Sequence, residues 1–254
     1  MDFYNQLLAQ TLSGGGGGGG DKYAAFKALV ADSLTEVTAE MLDGVTKIRS
    51  SAFYQCTSLS SVTIPNSVTI IGESAFNRCK SLSSVTIPDG VTSIGLSSFN
   101  SCTSLASVTI PNSVTGIGSY AFNGCTSLAS VTISNGVRII NNGMFTRCTS
   151  LSSVTIPNGV TVIQHDVFSG CTSLTTLTLP ESITSIGQNA FQNYADTWES
   201  LTFLSVVPPT CHQYFINSPV SHLTIYVPAE SIDAYKSATG FSFYVDQIQA
   251  IPSD

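Results

Sequence analysis

Seven cysteines and three histidines are the side chains of this 254-residue chain that could hold a soft metal, attack a carbonyl or move a proton near neutral pH. Six of the cysteines, Cys56, Cys79, Cys102, Cys125, Cys148 and Cys171, recur at a step of 23 residues. Thiols in such register invite a metal or disulfide reading. If the copies stack as strands about 4.8 Å apart, however, the thiols form a line. A structural zinc needs four ligands in a tetrahedron, which a line cannot provide. Neighbouring Cα atoms would be close enough for a disulfide, but parallel Cβ vectors disfavour its dihedral angle. The column reads as small, soft hydrophobes packed inside. Cys211 lies outside the array beside His212. A nucleophile and its base must meet in space, and adjacency in sequence does not show that they do. His165 stands beside Asp166 and is expected on an exposed turn, and His222 falls near the C-terminal end. There are no paired carboxylates, no phosphate-binding glycine motif after a strand and no His/Asp cluster with metal-ligand spacing. The expectation is no catalytic residue, no metal, no cofactor, and a chain that is not an enzyme.

The elements that carry these cysteines repeat with them. Phe recurs at 53, 76, 99, 122, 145, 168 and 191, again at a step of 23. A fixed period between 20 and 29 residues is the signature of a leucine-rich solenoid. In the copy that starts at Phe53, Leu59, Val62 and Ile64 follow the pattern Leu-x-x-Val-x-Ile. Val62 and Ile64 alternate with Ser61 and Thr63, as on a strand with one inward and one outward face. Pro65 lacks an N–H and ends the ladder. Asn66-Ser67 is a turn pair, and Val68 to Ile71 reads as a second extended segment. Gly72 is expected to turn the chain. Glu73 to Cys79 suits one turn of helix with Ala75, Phe76 and Cys79 inward. The fold class expected is an α/β repeat solenoid, right-handed and of about seven turns. It carries a parallel sheet on one face, and short strands, turns and one-turn helices on the other.

The outward strand positions form two columns. Ser61, Ser84, Ser107, Ser130, Ser153 and Thr176 make the first, and Thr63, Thr86, Thr109, Thr132, Thr155 and Thr178 the second. Ser60, Ser83, Ala106, Ala129, Ser152 and Thr175 run alongside. Hydroxyls and methyls fill these columns, without charge or aromatic ring. Thr suits a strand surface on propensity alone. The functional readings are a broad protein-binding face and a regular hydroxyl array for an ordered ligand such as a polysaccharide or ice. Binding hot spots favour Trp, Tyr and Arg, which weighs against the former. Sheet curvature weighs against a long lattice match for the latter. These twelve residues are the candidate ligand-binding set.

The ends differ from the array. Residues 1–20 read as a tail: a short amphipathic segment with Phe3, Leu7 and Leu8, then the glycine run Gly14 to Gly20, which behaves as a flexible tether. Residues 21–44 read as a helical cap, N-capped by Asp21, followed by a degraded repeat in which Leu34, Val37, Val45 and Ile48 match later positions. The solenoid proper runs over 45–207. After Phe191, Tyr194 replaces the next Cys, an insertion carries Trp198, and Leu201, Leu204 and Val206 resemble a displaced final strand. Residues 208–254 read as the C-terminal cap. There Leu223, Ile225 and Val227 form a strand, Ser231 caps a short helix to Ala238, and Tyr244, Val245 and Ile248 complete an apolar patch.

Composition narrows the partners. Charged residues make up 10% of the chain and the net charge is −7, against about 25% charged in typical soluble domains. An acidic chain lacks the basic footprint that nucleic acid or anionic lipid requires. No apolar run approaches the roughly 18 residues of a spanning helix. The N-terminus has no basic region and no adequate apolar run, so no signal peptide is visible.

The tandem pattern Phe-x-x-Cys-x-Ser-Leu-x-Ser-Val-Thr-Ile-Pro-x-x-Val-Thr-x-Ile-Gly resembles the BspA-like leucine-rich repeat family of bacterial surface and secreted proteins. The ending Ile225-Tyr226-Val227-Pro228-Ala229, with Tyr235-Lys236 after it, resembles the terminal unit of such proteins. The resemblance covers about 45–250. It implies a curved solenoid and a module for adhesion or protein binding at the cell surface or outside the cell, with a host extracellular protein as partner and the chain a monomer. Two departures stand out: the missing secretion signal, and the missing asparagine ladder, whose position is held by Ser67, Gly90, Ser113, Gly136, Gly159 and Ser182. The short Gly-rich leader resembles small proteins encoded near phage genes of gut bacteria. The alternative function is accordingly a structural spacer attached through its N-terminal tail.

Overall fold

The computed structural model describes residues 34–193, 195–216 and 222–253. The segments expected over 1–13, over Gly14 to Gly20 and after Asp21 lie outside the described residues. The described chain is a parallel β-solenoid. On one side Glu36–Val37 and five strands of the form Ser-Val-Thr, Ser61–Thr63, Ser84–Thr86, Ser107–Thr109, Ser130–Thr132 and Ser153–Thr155, form a six-stranded parallel sheet. Thr176–Leu179, Ser200–Phe203, Thr224–Val227 and Ile248–Ala250 form a four-stranded parallel sheet that carries this side onward. The pairing steps by one repeat, Val62 on Val85 and Val85 on Val108, so apolar side chains stay on one face and hydroxyls on the other.

A second side is built from two-residue strands. Lys47–Ile48, Ile70–Ile71, Ser93–Ile94 and Gly116–Ile117 form one sheet, and Ile139–Ile140, Val162–Ile163, Ser185–Ile186 and Thr210–Cys211 another. The break between them falls before Asn141. Just past each strand the turns approach so closely that a Cβ on Gly118 would sit 2.4 Å from the Leu96 nitrogen. Asn141 occupies the same place one repeat later. The ladder is interrupted there and its amide Nδ2 donates to the Ile117 carbonyl at 2.6 Å, whereas Gln164 and His212 at the same place keep the ladder through N–H bonds to the Ile140 and Ile186 carbonyls. Gly72 is thus required by close approach, its Cβ position lying 2.6 Å from the Ser50 nitrogen, and not by a left-handed turn.

The third side corrects the expected one-turn helices. Ala75, Phe76 and Cys79 are fully buried, as read from their spacing. The backbone between them is a run of hydrogen-bonded turns, because Ser74 and Arg78 take positive φ of 53° and 63°. The N–H groups of Ser74, Phe76 and Arg78 donate to Leu96, Ser98 and Asn100 of the next turn of the solenoid, and those of Ala75, Asn77 and Cys79 close local turns. Helices are scarce among the described residues: 3-10 turns at Glu40–Leu42 and Ala229–Ser231, and one α-helix, Ile232–Ser237. The α/β description therefore holds only in part, and the strand sides lead. The ten strands on the first side correct the expected seven turns to about nine.

The interior is one continuous apolar column from Leu34 to Ile248. Its axis is a stack of phenylalanine rings from Phe53 to Phe191, each within 9° of parallel to the next. Ring centroids are 5.1 Å apart at the Phe53–Phe76 step and 6.0 Å at Phe168–Phe191. Strands pair at about 4.8 Å, so the turns splay on the phenylalanine side, and more so toward the C-terminal end.

After Phe191 the array changes. The strand there is Ser200–Phe203, so Phe203 is the inward residue. Leu204 and Val206 follow the strand and stay exposed, at 39% and 53%. That strand is not the last, since Thr224–Val227 and Ile248–Ala250 continue the sheet. Ser231 does not cap the helix through its side chain; its hydroxyl donates back to the Pro228 carbonyl. Tyr244 and Ile248 are buried, whereas Val245 is 37% exposed.

Candidate binding face

The columns read from the sequence lie where the alternation puts them. Eleven of the twelve candidate residues are exposed, and Ser61 is half-buried. They stand in register across the sheet, Ser61 beside Ser84 beside Ser107, and Thr63 beside Thr86 beside Thr109. Ser130 and Thr132 face Ser153 and Thr155 in the same way. Among the described residues, none of these twelve hydroxyls bonds to another group of the protein.

That freedom contrasts with the neighbouring hydroxyls. At the entry to the second side, Thr69 donates to Thr46 O at 3.1 Å, Thr92 to Thr69 O at 3.2 Å and Thr184 to Thr161 O at 3.1 Å. Beside the cysteines, Thr103, Thr126, Thr149 and Thr172 each donate to the carbonyl one turn earlier. Ser60, Ser83 and Ser152 do the same next to the strands. At the asparagine-ladder position, Ser67 donates to Val45 O at 2.8 Å and Ser182 to Val160 O at 2.6 Å. In the turn that carries Gly136, Ser134 supplies the bond, to Val114 O at 2.8 Å. Hydroxyls thus satisfy carbonyls at the bends of Ser67, Ser134 and Ser182, whereas the Ser113 hydroxyl is buried without a partner.

The face extends past the residues read from the sequence. Thr178 pairs with Thr202, and Thr202 with Tyr226; Thr176 pairs with Ser200, and Ser200 with Thr224. The threonine column therefore passes through a half-exposed tyrosine to the exposed Gln249, which pairs with Tyr226, and the serine column starts at Glu36, which pairs with Ser61. The alternation of Leu223, Ile225 and Val227 already implied that Tyr226 points outward. What hid it was the broken 23-residue step after Phe191.

The cysteine column is buried and free of disulfides. It is also more than packing. The thiol of Cys79 donates to the Phe53 carbonyl at 3.0 Å, and Cys102, Cys125, Cys148 and Cys171 donate to Phe76, Phe99, Phe122 and Phe145 at 3.1–3.2 Å. Burial pushes the thiols of Cys102 and Cys148 up to about 12 and raises those of Cys79, Cys125 and Cys171 well above the ordinary value. Such thiols are neither nucleophiles nor ready ligands at neutral pH. Among the described residues no group of three or more His, Cys, Asp or Glu is placed to hold a metal. Cys211 is buried and its thiol raised by burial, while His212 Nδ1 accepts from the Tyr214 N–H at 3.2 Å. His165 is exposed on its turn, and its Nδ1 accepts from the Gln188 N–H at 2.9 Å. No described helix is long and apolar enough to cross a membrane.

Comparison with known proteins agrees with this architecture. The profile of the BspA type leucine rich repeat region matches in six copies, over residues 24–151 and 115–237. A leucine rich cell surface protein from Faecalibacterium prausnitzii A2-165 superposes with a TM-score of 0.53 at 24% identity, over 82% of this chain and 84% of that one. A leucine-rich repeat protein from Bacteroides ovatus ATCC 8483 gives a TM-score of 0.52 at 24% identity, over 82% of this chain and 64% of that one. At these identities the likeness concerns the fold. No curated protein matches the chain.

Proposed function

The chain belongs to the BspA-type leucine-rich repeat family, and from that premise we propose that it is a non-enzymatic adhesion module that holds its partner on the first strand side. One observation carries this reading. The strand-face hydroxyls are exposed, in register and unused by the protein, while the hydroxyls around them are spent on the backbone. The buried, protonated thiols support action without chemistry of its own. The description of the Faecalibacterium protein as a cell surface protein supports a place outside the cell, as does the family resemblance, which also favours a host extracellular protein as partner and a monomeric module.

Immobilised mucin, fibronectin and fibrinogen test this. The expected outcome is saturable binding to at least one of them, weakened roughly tenfold or more by Thr109→Lys with Thr132→Lys. Both positions are exposed, so the double variant keeps the fold, which circular dichroism checks. Binding that ignores the two lysines would place the contact elsewhere. No binding to any of the three would leave the spacer reading ahead, and removal of residues 1–20 would then be expected to abolish localisation.

A further inference from the structure

We propose that Asn158-Gly159 is a site of spontaneous modification, at which the Gly159 nitrogen closes on the Asn158 side chain and converts that asparagine to aspartate and isoaspartate. The site lies on a bend and is independent of the adhesion reading. Four Asn-Gly pairs occur in the chain: Asn123-Gly124, Asn135-Gly136, Asn142-Gly143 and Asn158-Gly159. Ring closure of this kind meets least hindrance before glycine, which carries no side chain beside the attacking nitrogen. By sequence the four pairs are therefore equal. The structure separates them, because closure needs a glycine N–H without a partner and a side-chain amide free to swing onto it.

Three of the pairs are held. The Gly124 N–H donates to the Thr146 carbonyl at 2.8 Å, and the Gly143 N–H to the His165 carbonyl at 2.9 Å. Asn142 is held as well: its Oδ1 accepts from the His165 N–H, and its own N–H donates to Gln164 Oε1, both at 3.1 Å. Asn135-Gly136 occupies the same place in the repeat as Asn158-Gly159. There the Gly136 N–H donates to Ser134 Oγ at 3.1 Å, and the Asn135 N–H to Asn112 Oδ1 at 3.3 Å. In the Asn158 turn Pro157 replaces Ser134, so that acceptor is gone. Asn158 is exposed, and among the described residues neither its side-chain amide nor the Gly159 N–H has a hydrogen bond. The bond from the Val160 N–H to the Pro157 carbonyl, at 3.1 Å, closes the turn. Arg138 Nη1 reaches the Gly159 carbonyl at 3.4 Å and leaves the attacking nitrogen open.

The chemistry needs only water. Gly159 gives its amide proton to hydroxide, and its nitrogen bonds to Asn158 Cγ. The Cγ–Nδ2 bond breaks, the nitrogen takes a proton from water and leaves as ammonia, and a succinimide ring remains. Water then opens the ring: addition at Cγ leaves aspartate, and addition at the main-chain carbonyl leaves isoaspartate. Either product sets a new carboxylate on the turn that the Arg138 guanidinium already touches. Isoaspartate also lengthens the main chain at the bend between Ser153–Thr155 and Val162–Ile163.

The full chain, kept in mildly alkaline buffer and sampled over time, tests the proposal by peptide mapping with mass spectrometry. Isoaspartate is counted by isoaspartyl methyltransferase labelling, and a urea-unfolded sample runs beside the folded one. In the unfolded chain the four pairs should react at similar rates. In the folded chain Asn158 should outpace Asn123, Asn135 and Asn142 by roughly fivefold or more, the factor set by one hydrogen bond that must first be released. Ser134→Pro gives the Asn135 turn the proline of the Asn158 turn and removes the acceptor of the Gly136 N–H. It should bring Asn135 to within about threefold of Asn158, with circular dichroism checking the fold. The proposal is overturned if Asn158 in the folded chain reacts no faster than Asn135, or stays intact while the unfolded sample reacts. It is overturned too if Asn135 stays slow in folded Ser134→Pro, since the free N–H would then not be what selects Asn158.

Discussion

The turns from Phe53 to Phe191 and the turns after Phe191 share one architecture and hold it by different means. In the array, identical groups stack: parallel rings on the axis, thiols on the phenylalanine carbonyls, hydroxyls on the bends. After Phe191 the rings meet edge-on or tilted instead of stacked in parallel. Trp198 and Phe215 stand edge-on to Phe191, at 83° and 81°. Phe203, Tyr235 and Phe241 pack as a tilted cluster, with centroids 5.0–5.7 Å apart. The indole Nε1 of Trp198 donates to the Phe191 carbonyl at 2.8 Å, a bond of the kind that a thiol makes in the array. The difference teaches how a repeat ends. A stack of like groups offers the next turn the same surface it received, so it cannot stop by itself. Perpendicular rings and an indole donor close the surface instead of passing it on, which is the role of a terminal unit in a solenoid.

The largest expected effect breaks the array at its centre. Phe122 is fully buried between Phe99 at 5.4 Å and Phe145 at 5.8 Å. Phe122→Ala should cost about 3–5 kcal/mol by cavity formation. Coupling in a solenoid runs between neighbours, so the urea transition should also split into two steps. Trp198→Ala should cost a similar about 3–5 kcal/mol and leave the transition single, with only the C-terminal turns weakened. Unsplit curves of equal loss in both variants would show that the array and its end unfold as one unit, and the contrast drawn between them would fail.

Much of this contrast was legible in the sequence on one side only. The 23-residue step placed Val62, Ile64, Phe76 and Cys79 inside and Ser61 and Thr63 outside, because strand alternation and burial repeat without interruption. Three features were not legible. The Glu73–Cys79 segment has helical spacing, yet positive φ at Ser74 and Arg78 turns alternate N–H groups toward the next turn. Spacing records which side chains are inward and says nothing of where the N–H groups point. The thiol bonds to Phe carbonyls depend on distances between turns. Tyr226 belonged to a strand whose register with Thr178 could not be counted across an insertion, although its own alternation marked it as outward.

A second test uses alkali. The thiols of Cys102 and Cys148 are raised from an ordinary 9.0 to about 12 by burial. The unfolded chain releases these protons above pH 9 and the folded chain keeps them to about pH 12. Stability from this source is therefore complete below pH 9 and falls through the window up to 12, at about 1.4 kcal/mol per pH unit for each thiol. Six thiols lie in the array and one beyond it, and Trp198 is the only tryptophan. On titration from pH 8 to 12, far-ultraviolet circular dichroism should fall before the Trp198 fluorescence shifts. Coincident changes would mean that the end does not outlast the array.

The smallest effect separates two cysteines that look alike in exposure. Cys125 and Cys211 are both buried, at 0% and 3%. Cys125 donates to the Phe99 carbonyl at 3.2 Å. Cys211 lies on the second side, packed where Gly240 passes so closely that a Cβ there would be 2.9 Å from its own, and its thiol has no hydrogen bond among the described residues. Serine replaces a thiol with a group of similar shape and a stronger need for a partner. In the array the partner is in place, so Cys125→Ser should change stability by no more than about 1 kcal/mol. At Cys211 the hydroxyl is buried without one, and Cys211→Ser should cost about 1–3 kcal/mol. Paired urea melts decide it. If Cys125→Ser costs as much as Cys211→Ser, the thiol ladder contributes only its volume, and the array is held by the ring stack and the backbone alone.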